Sequence, residues 1–85
     1  MELTNEQKFV MQIATRNKCY CTFYGKVCTI TFGETTVSLD DNTLSLGDSY
    51  FQLKEAENFS IGFNDSEFCI EIRFASESLQ IRGSY

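Results

Sequence analysis

The stretch CYCTFYGKVCTITFGETTVSLD, residues 19–40, alternates apolar and polar side chains across two glycines. Period-two alternation marks strands with one buried face, and tight turns between such strands favour glycine. The stretch therefore predicts three strands, near 19–24, 27–32 and 35–40, joined by two-residue turns at Gly25-Lys26 and Gly33-Glu34. These turns oppose Phe23 to Cys28, Cys21 to Ile30 and Cys19 to Phe32, then Ile30 to Val37 and Cys28 to Leu39. Every pair is apolar against apolar. A slip of one residue would turn each strand over, so the agreement specifies which side chains point inward.

The same reading extends in both directions. Downstream, turns at Asp41-Asn42 and Gly47-Asp48 oppose Leu39 to Leu44, Val37 to Leu46 and Leu44 to Phe51. Longer turns at 54–58, 64–67 and 75–78 leave strands near 43–46, 50–53, 59–63, 68–74 and 79–82. They set Phe63 against Phe68, Ile61 against Ile70, Phe59 against Ile72 and Phe74 against Leu79. Upstream, Thr4 and Gln7 have the spacing of a capping box, in which each side chain satisfies a backbone amide at a helix start. Phe9, Val10, Ile13 and Ala14 follow at helical spacing, and Asn17 is a residue that tolerates the left-handed conformation ending many helices. A helix is expected over 4–17. The expected fold is α+β and mostly β. It is a single domain, 1–85, with this helix packed on a curled antiparallel meander of about eight strands spanning 19–82. The alternative is a small barrel capped by the helix.

Composition narrows what such a domain can do. The net charge is −5, and it is uneven: residues 1–26 carry four basic and two acidic side chains, residues 27–85 three basic and ten acidic. That balance disfavours direct nucleic-acid binding, which depends on Lys and Arg displacing counterions from phosphates, and it suits a protein partner with a basic surface. No apolar run reaches membrane-spanning length, and the N-terminus lacks the basic and apolar regions of a signal peptide. The four scattered cysteines point to a reducing, cytoplasmic setting.

Three cysteines within ten positions raise the question of a metal. Zinc needs four converging ligands, yet Cys19 and Cys21 stand about 7 Å apart along a strand, twice its rise. The chain has no His. Cys19, Cys21 and Cys28 are expected in the core, and Cys69, on the opposite face, is expected to be the most reactive thiol. No metal or cofactor is expected. Nor is an enzyme: the usual neutral-pH proton shuttle is missing, and the carboxylate pairs Asp40-Asp41 and Asp65 with Glu67 lie in turns, where burial does not perturb them.

The outward face of the first strands is expected to be free of charge and rich in Tyr and Thr, with Tyr20, Tyr24, Thr29, Thr31, Thr36 and Tyr50 as interface candidates. Interface centres favour Tyr and exclude Lys and Glu. A homodimer could form through this face. The turn acids Asp40, Asp41, Asp65 and Glu67 are a second set of contact candidates. In size, acidity and lack of motifs the chain resembles small phage-encoded inhibitors of host machinery, anti-CRISPR and other anti-defence proteins among them. The likeness is one of type, and no residue role follows from it. The expected function is stoichiometric occupation of a protein partner's surface. The alternative is a small-ligand or nucleotide binder, a sponge, that uses the curled sheet or a subunit interface as its pocket.

Overall fold

The computed structural model describes residues 3–40 and 42–84. It contains one helix, α1 (Asn5–Arg16), followed by seven antiparallel strands in a single curled sheet. The strands are β1 (Lys18–Tyr24), β2 (Thr29–Asp40), β3 (Thr43–Leu46), β4 (Ser49–Gln52), β5 (Asn58–Phe63), β6 (Glu67–Arg73) and β7 (Ser78–Ser84). A 3₁₀ turn, Leu53–Glu55, lies between β4 and β5. This is the mostly-β, helix-on-curled-sheet architecture that the alternation implies.

The capping box forms. The Thr4 amide donates to Gln7 Oε1 at 2.8 Å and the Gln7 amide donates to Thr4 Oγ1 at 3.2 Å. Two details of the helix differ from expectation. Phe9 is 63% exposed, whereas Met11 is fully buried beside Val10 and Ala14. At 100° per residue the buried stripe is centred on Val10 and Ala14, which leaves Phe9 on the far side. Asn17 is extended (φ −126°) rather than left-handed, and it ends the helix through its side chain, which donates to the Ile13 carbonyl at 2.9 Å.

The strand count falls from about eight to seven because Gly33-Glu34 is not a turn. β2 runs unbroken through it with a bulge between its pairings to Cys21 and Thr22, and Gly33 takes φ +68° there. A left-handed glycine serves a bulge as readily as a hairpin. The expected pairs Ile30–Val37 and Cys28–Leu39 are therefore absent. The pairs about Gly25-Lys26 are shifted by two residues before the bulge, where Phe23 opposes Ile30 and Tyr24 opposes Thr29, and by three beyond it, where Cys21 opposes Gly33 and Cys19 opposes Thr35 rather than Ile30 and Phe32. The loop is four residues, closed by the Gly25 amide donating to the Cys28 carbonyl at 2.9 Å. The β6–β7 hairpin is shifted in the same way: Ile72, not Phe74, opposes Leu79, and the Phe74 amide donates to the Glu77 carbonyl at 2.8 Å. The remaining expected pairs, Leu39–Leu44, Val37–Leu46, Leu44–Phe51, Phe63–Phe68, Ile61–Ile70 and Phe59–Ile72, all occur. Asp41, expected in a turn with Asn42, lies outside the described residues.

The strand order is β4-β3-β2-β1-β7-β6-β5. The sheet is thus two meanders joined along β1 and β7, the first and last strands, rather than one continuous meander. The core forms on its concave side, where Cys21, Leu46, Ile70, Leu79 and Ile81 are at most 1% exposed beneath the helix and the β3–β4 hairpin. Two ring distances measure the curl. Phe51 of β4 lies 5.3 Å from Phe23 of β1, three strands away, and 6.4 Å from Phe74 at the end of β6, five strands away. In a flat sheet those separations would be about 14 and 24 Å, so the sheet rolls into a half-barrel.

Candidate functional site

The helix is too small to cover the inside of this half-barrel. Twelve residues make a rod about 18 Å long, set against the β1–β2 part of a seven-stranded sheet. At the mouth away from the helix, apolar side chains of the concave face remain partly open to solvent. Phe23, Phe51 and Phe74 pack on one another there, and Ile30, opposite Phe23, is 46% exposed although it faces inward.

The result is an open trough of about 460 Å³. Phe23, Phe51 and Phe74 supply three inward aromatic rings, Tyr50 and Gln52 border the trough along the β4 edge, Ser76 adds a neutral polar residue, and Glu55 and Glu77 add carboxylates. Among the described residues no Lys or Arg lines it. Each wall has a local cause. The Gly47-Asp48 turn, with Gly47 at φ +61°, sets the β3–β4 register and so aims Phe51 inward beside Leu44. The four-residue β6–β7 loop keeps Phe74 on the inner face while it holds Glu77 at the rim. Rings with nearby carboxylates can hold an apolar or cationic group through burial and cation–π attraction. The set contains neither a nucleophile–base pair nor a buried acid.

The sequence-predicted interface residues all lie on the convex face and are exposed, but they do not form the charge-free surface expected of them. With the hairpin at Gly33-Glu34 replaced by a bulge, Glu34 sits in the middle of that face, directly opposite Tyr20. The Tyr20 hydroxyl donates to Glu34 Oε2 at 3.3 Å and Lys18 Nζ lies 3.6 Å from Glu34 Oε1. Arg82 flanks Tyr20 on the other side, and Cys69 flanks Arg82, so one row reads Glu34, Tyr20, Arg82, Cys69. Glu71 opposes Gln80. Thr31 pairs with Thr22 and Thr29 with Tyr24, so Thr29 lies at the last pair of the β1–β2 ladder. Thr36 is opposite Lys18, and Tyr50 stands apart on the β4 edge in a row with Ser45 and Ser38. Among the acidic candidates, Asp40, Asp65 and Glu67 are exposed, but Asp40 ends β2 whereas Asp65 and Glu67 share the β5–β6 hairpin, and Asp41 lies outside the described residues.

The thiols separate differently from expectation. Cys19 and Cys21 are buried, and the Cys19 thiol is 3.6 Å from the Ala14 carbonyl as a donor. Burial pushes both thiols up; for Cys21, desolvation with a smaller contribution from neighbouring Cys19 takes it to about 12. Cys28 is not in the core: the longer loop carries it out to solvent, and it is exposed while Cys69 is only half-exposed. Among the described residues no group of three or more Cys, Asp or Glu is placed to hold a metal ion.

Sequence reasoning assigned Phe51 and Phe74 to the core and left Glu55 and Glu77 as turn residues. The signal for the trough was an excess: eight Phe and four Tyr are more than a sheet under one short helix can bury. Among the described residues no helix is long and apolar enough to cross a membrane. No protein-family model, curated protein or solved structure matches the chain.

Proposed function

We propose that the chain is a non-catalytic binding protein that acts by occupying the surface of a protein partner, with the aromatic trough as its anchor. One observation carries this reading: three packed inward Phe rings, with Tyr50 at the adjoining β4 edge, border an open trough that carries two carboxylates and, among the described residues, no Lys or Arg. Aromatic side chains dominate the binding energy of protein interfaces when they sit in or around a pocket. The net charge of −5 favours a partner with a basic surface, since complementary fields speed encounter and reject wrong partners. A stoichiometric inhibitor of the phage type, directed at host defence or other machinery, is the finer form of this proposal. A cytoplasmic site of action goes with it.

The experiment is affinity capture from lysate with wild type and Tyr50→Ala/Glu77→Lys side by side. Both positions are exposed, so the variant should keep its melting temperature. Stoichiometric retention of one protein by wild type, lost in the variant and weakened by salt, supports the reading. Equal retention by both removes the trough as the contact surface. The trough also falls within the usual volume range of small-molecule pockets, and this favours a second reading as a ligand binder. A rise in melting temperature with nucleotides or metabolites, and no protein retained, would select it.

A further inference from the structure

We propose that the trough receives an extended, basic segment of the partner, which adds as a strand to the open edge of β4 and lays a Lys or Arg side chain among the rings. This inference rests on the trough being the binding surface.

The edge is defined by the backbone. β4 is terminal in the sheet. The Leu53 amide donates to the Asn42 carbonyl at 2.8 Å, in register with the β3–β4 pairs. Hydrogen-bonded and non-bonded positions alternate along an antiparallel ladder. Counting back from Leu53, Phe51 and Ser49 bond to β3, and Tyr50 and Gln52 direct their amides and carbonyls away from it. Edge strands are usually blunted by Lys, Pro or a bulge, but Ser49–Gln52 is SYFQ, with no charge and no proline. Tyr50 and Gln52, the two residues with outward backbone groups, are themselves trough residues. The same residues thus offer main-chain bonds along the edge and a side-chain site beside it, the two requirements of recognition by strand addition.

The other edge is less available. The Asn64 amide donates to the Glu67 carbonyl at 2.9 Å, and by the same alternation Phe59, Ile61 and Phe63 point their backbone groups outward from β5. The Phe59 carbonyl already accepts from Gln7 Nε2 of the helix at 3.4 Å, and the pocket beside this strand is smaller, about 220 Å³, and is lined by the cationic Arg82.

Charge selects the segment. Glu55 and Glu77 at the rim, with no basic group among the described residues lining the trough, favour a cation over an anion. The ring faces stabilise guanidinium and ammonium groups, while the aliphatic stems of Arg and Lys cover the rings. In an added strand alternate side chains point to one face, so every second residue would face the trough.

The test titrates ¹⁵N-labelled protein with a blocked peptide alternating Arg with Val, and with the same peptide carrying Glu for Arg. Saturable shifts of the Tyr50 and Gln52 amides are expected, together with their protection from hydrogen exchange. The Glu peptide should bind roughly tenfold or more weakly. Alternate N-methylation of the Arg peptide should abolish the amide protection. Shifts without protection, equal binding of the Glu peptide, or no shift at Tyr50 and Gln52 would each overturn the inference. If the peptide fails while Tyr50→Ala/Glu77→Lys still loses a captured protein, strand addition is wrong and the trough remains the contact surface. If both fail, the binding reading falls as well.

Discussion

Ionising Cys21 inside the sheet places a charge where neither water nor a cation can answer it, and this is why burial takes its thiol from an ordinary 9.0 to about 12. The unfolded chain gives up that proton near its ordinary value and the folded chain holds it. The stabilisation is therefore complete below about pH 9 and declines as pH rises towards 12. Urea unfolding at intervals across this range should show a steeper alkaline loss for wild type than for Cys21→Ala, whatever the variant's baseline stability. Parallel curves would mean that the thiol ionises freely in the folded state. The same burial orders the thiols by reactivity. Cys28 should react first with a thiol reagent, Cys69 more slowly, and Cys19 and Cys21 only on unfolding, as mass spectrometry of timed quenches can read. The burial of Cys19 and Cys21 was legible in the sequence, because alternation alone places them inward. The exposure of Cys28 was not, because it depends on a loop length that alternation does not report.

Loop length decides register at the scale of elements. Apolar pairing repeats every two residues, so a hairpin shifted by two satisfies the same test as the true one. Phe23 faces inward whether its partner is Cys28 or Ile30, and Leu79 is buried whether it meets Phe74 or Ile72. Faces could therefore be read from the sequence at two hairpins whose registers could not. The cost fell on the convex surface, where Glu34 came to rest beside Tyr20 once a turn became a bulge. The trough was lost for a related reason: an inward aromatic reads as core until the extent of the covering helix is known. Two substitutions test the element-level account. Thr4→Ala removes one half of the capping box and should cost about 1 kcal/mol by denaturant unfolding. Gly83→Ala should cost more. A Cβ there would stand 2.6 Å from Cζ of the buried Phe68 ring and 3.2 Å from the Cys19 sulfur, and such overpacking typically costs about 1–3 kcal/mol. Phe68→Leu added to Gly83→Ala should then recover part of the loss. Full additivity of the two changes would show that the ring does not set the cost.

The joining of β1 to β7 governs the whole molecule. A continuous meander would leave its last strand on an edge, and removing it would trim the sheet. Here the last strand is fifth from one edge and third from the other, and Leu79 and Ile81 on it are fully buried. Nothing in local alternation announces this pairing, because it links residues 19–24 to residues 78–83. A chain ending at Glu77 would lose β7 and leave β1 and β6 with open edges in the middle of the molecule. It should show no cooperative thermal transition by circular dichroism and no dispersed amide spectrum. Point substitutions give the same answer if the truncated chain cannot be purified. Ile81→Ala, in the centre, should cost about 2–5 kcal/mol. Phe63→Ala, on edge strand β5 and 58% exposed, should cost clearly less despite removing the larger side chain. A truncated chain that still melts cooperatively, or a ranking in which Phe63→Ala is the costlier change, would contradict the central placement of β7 and restore the sequential meander.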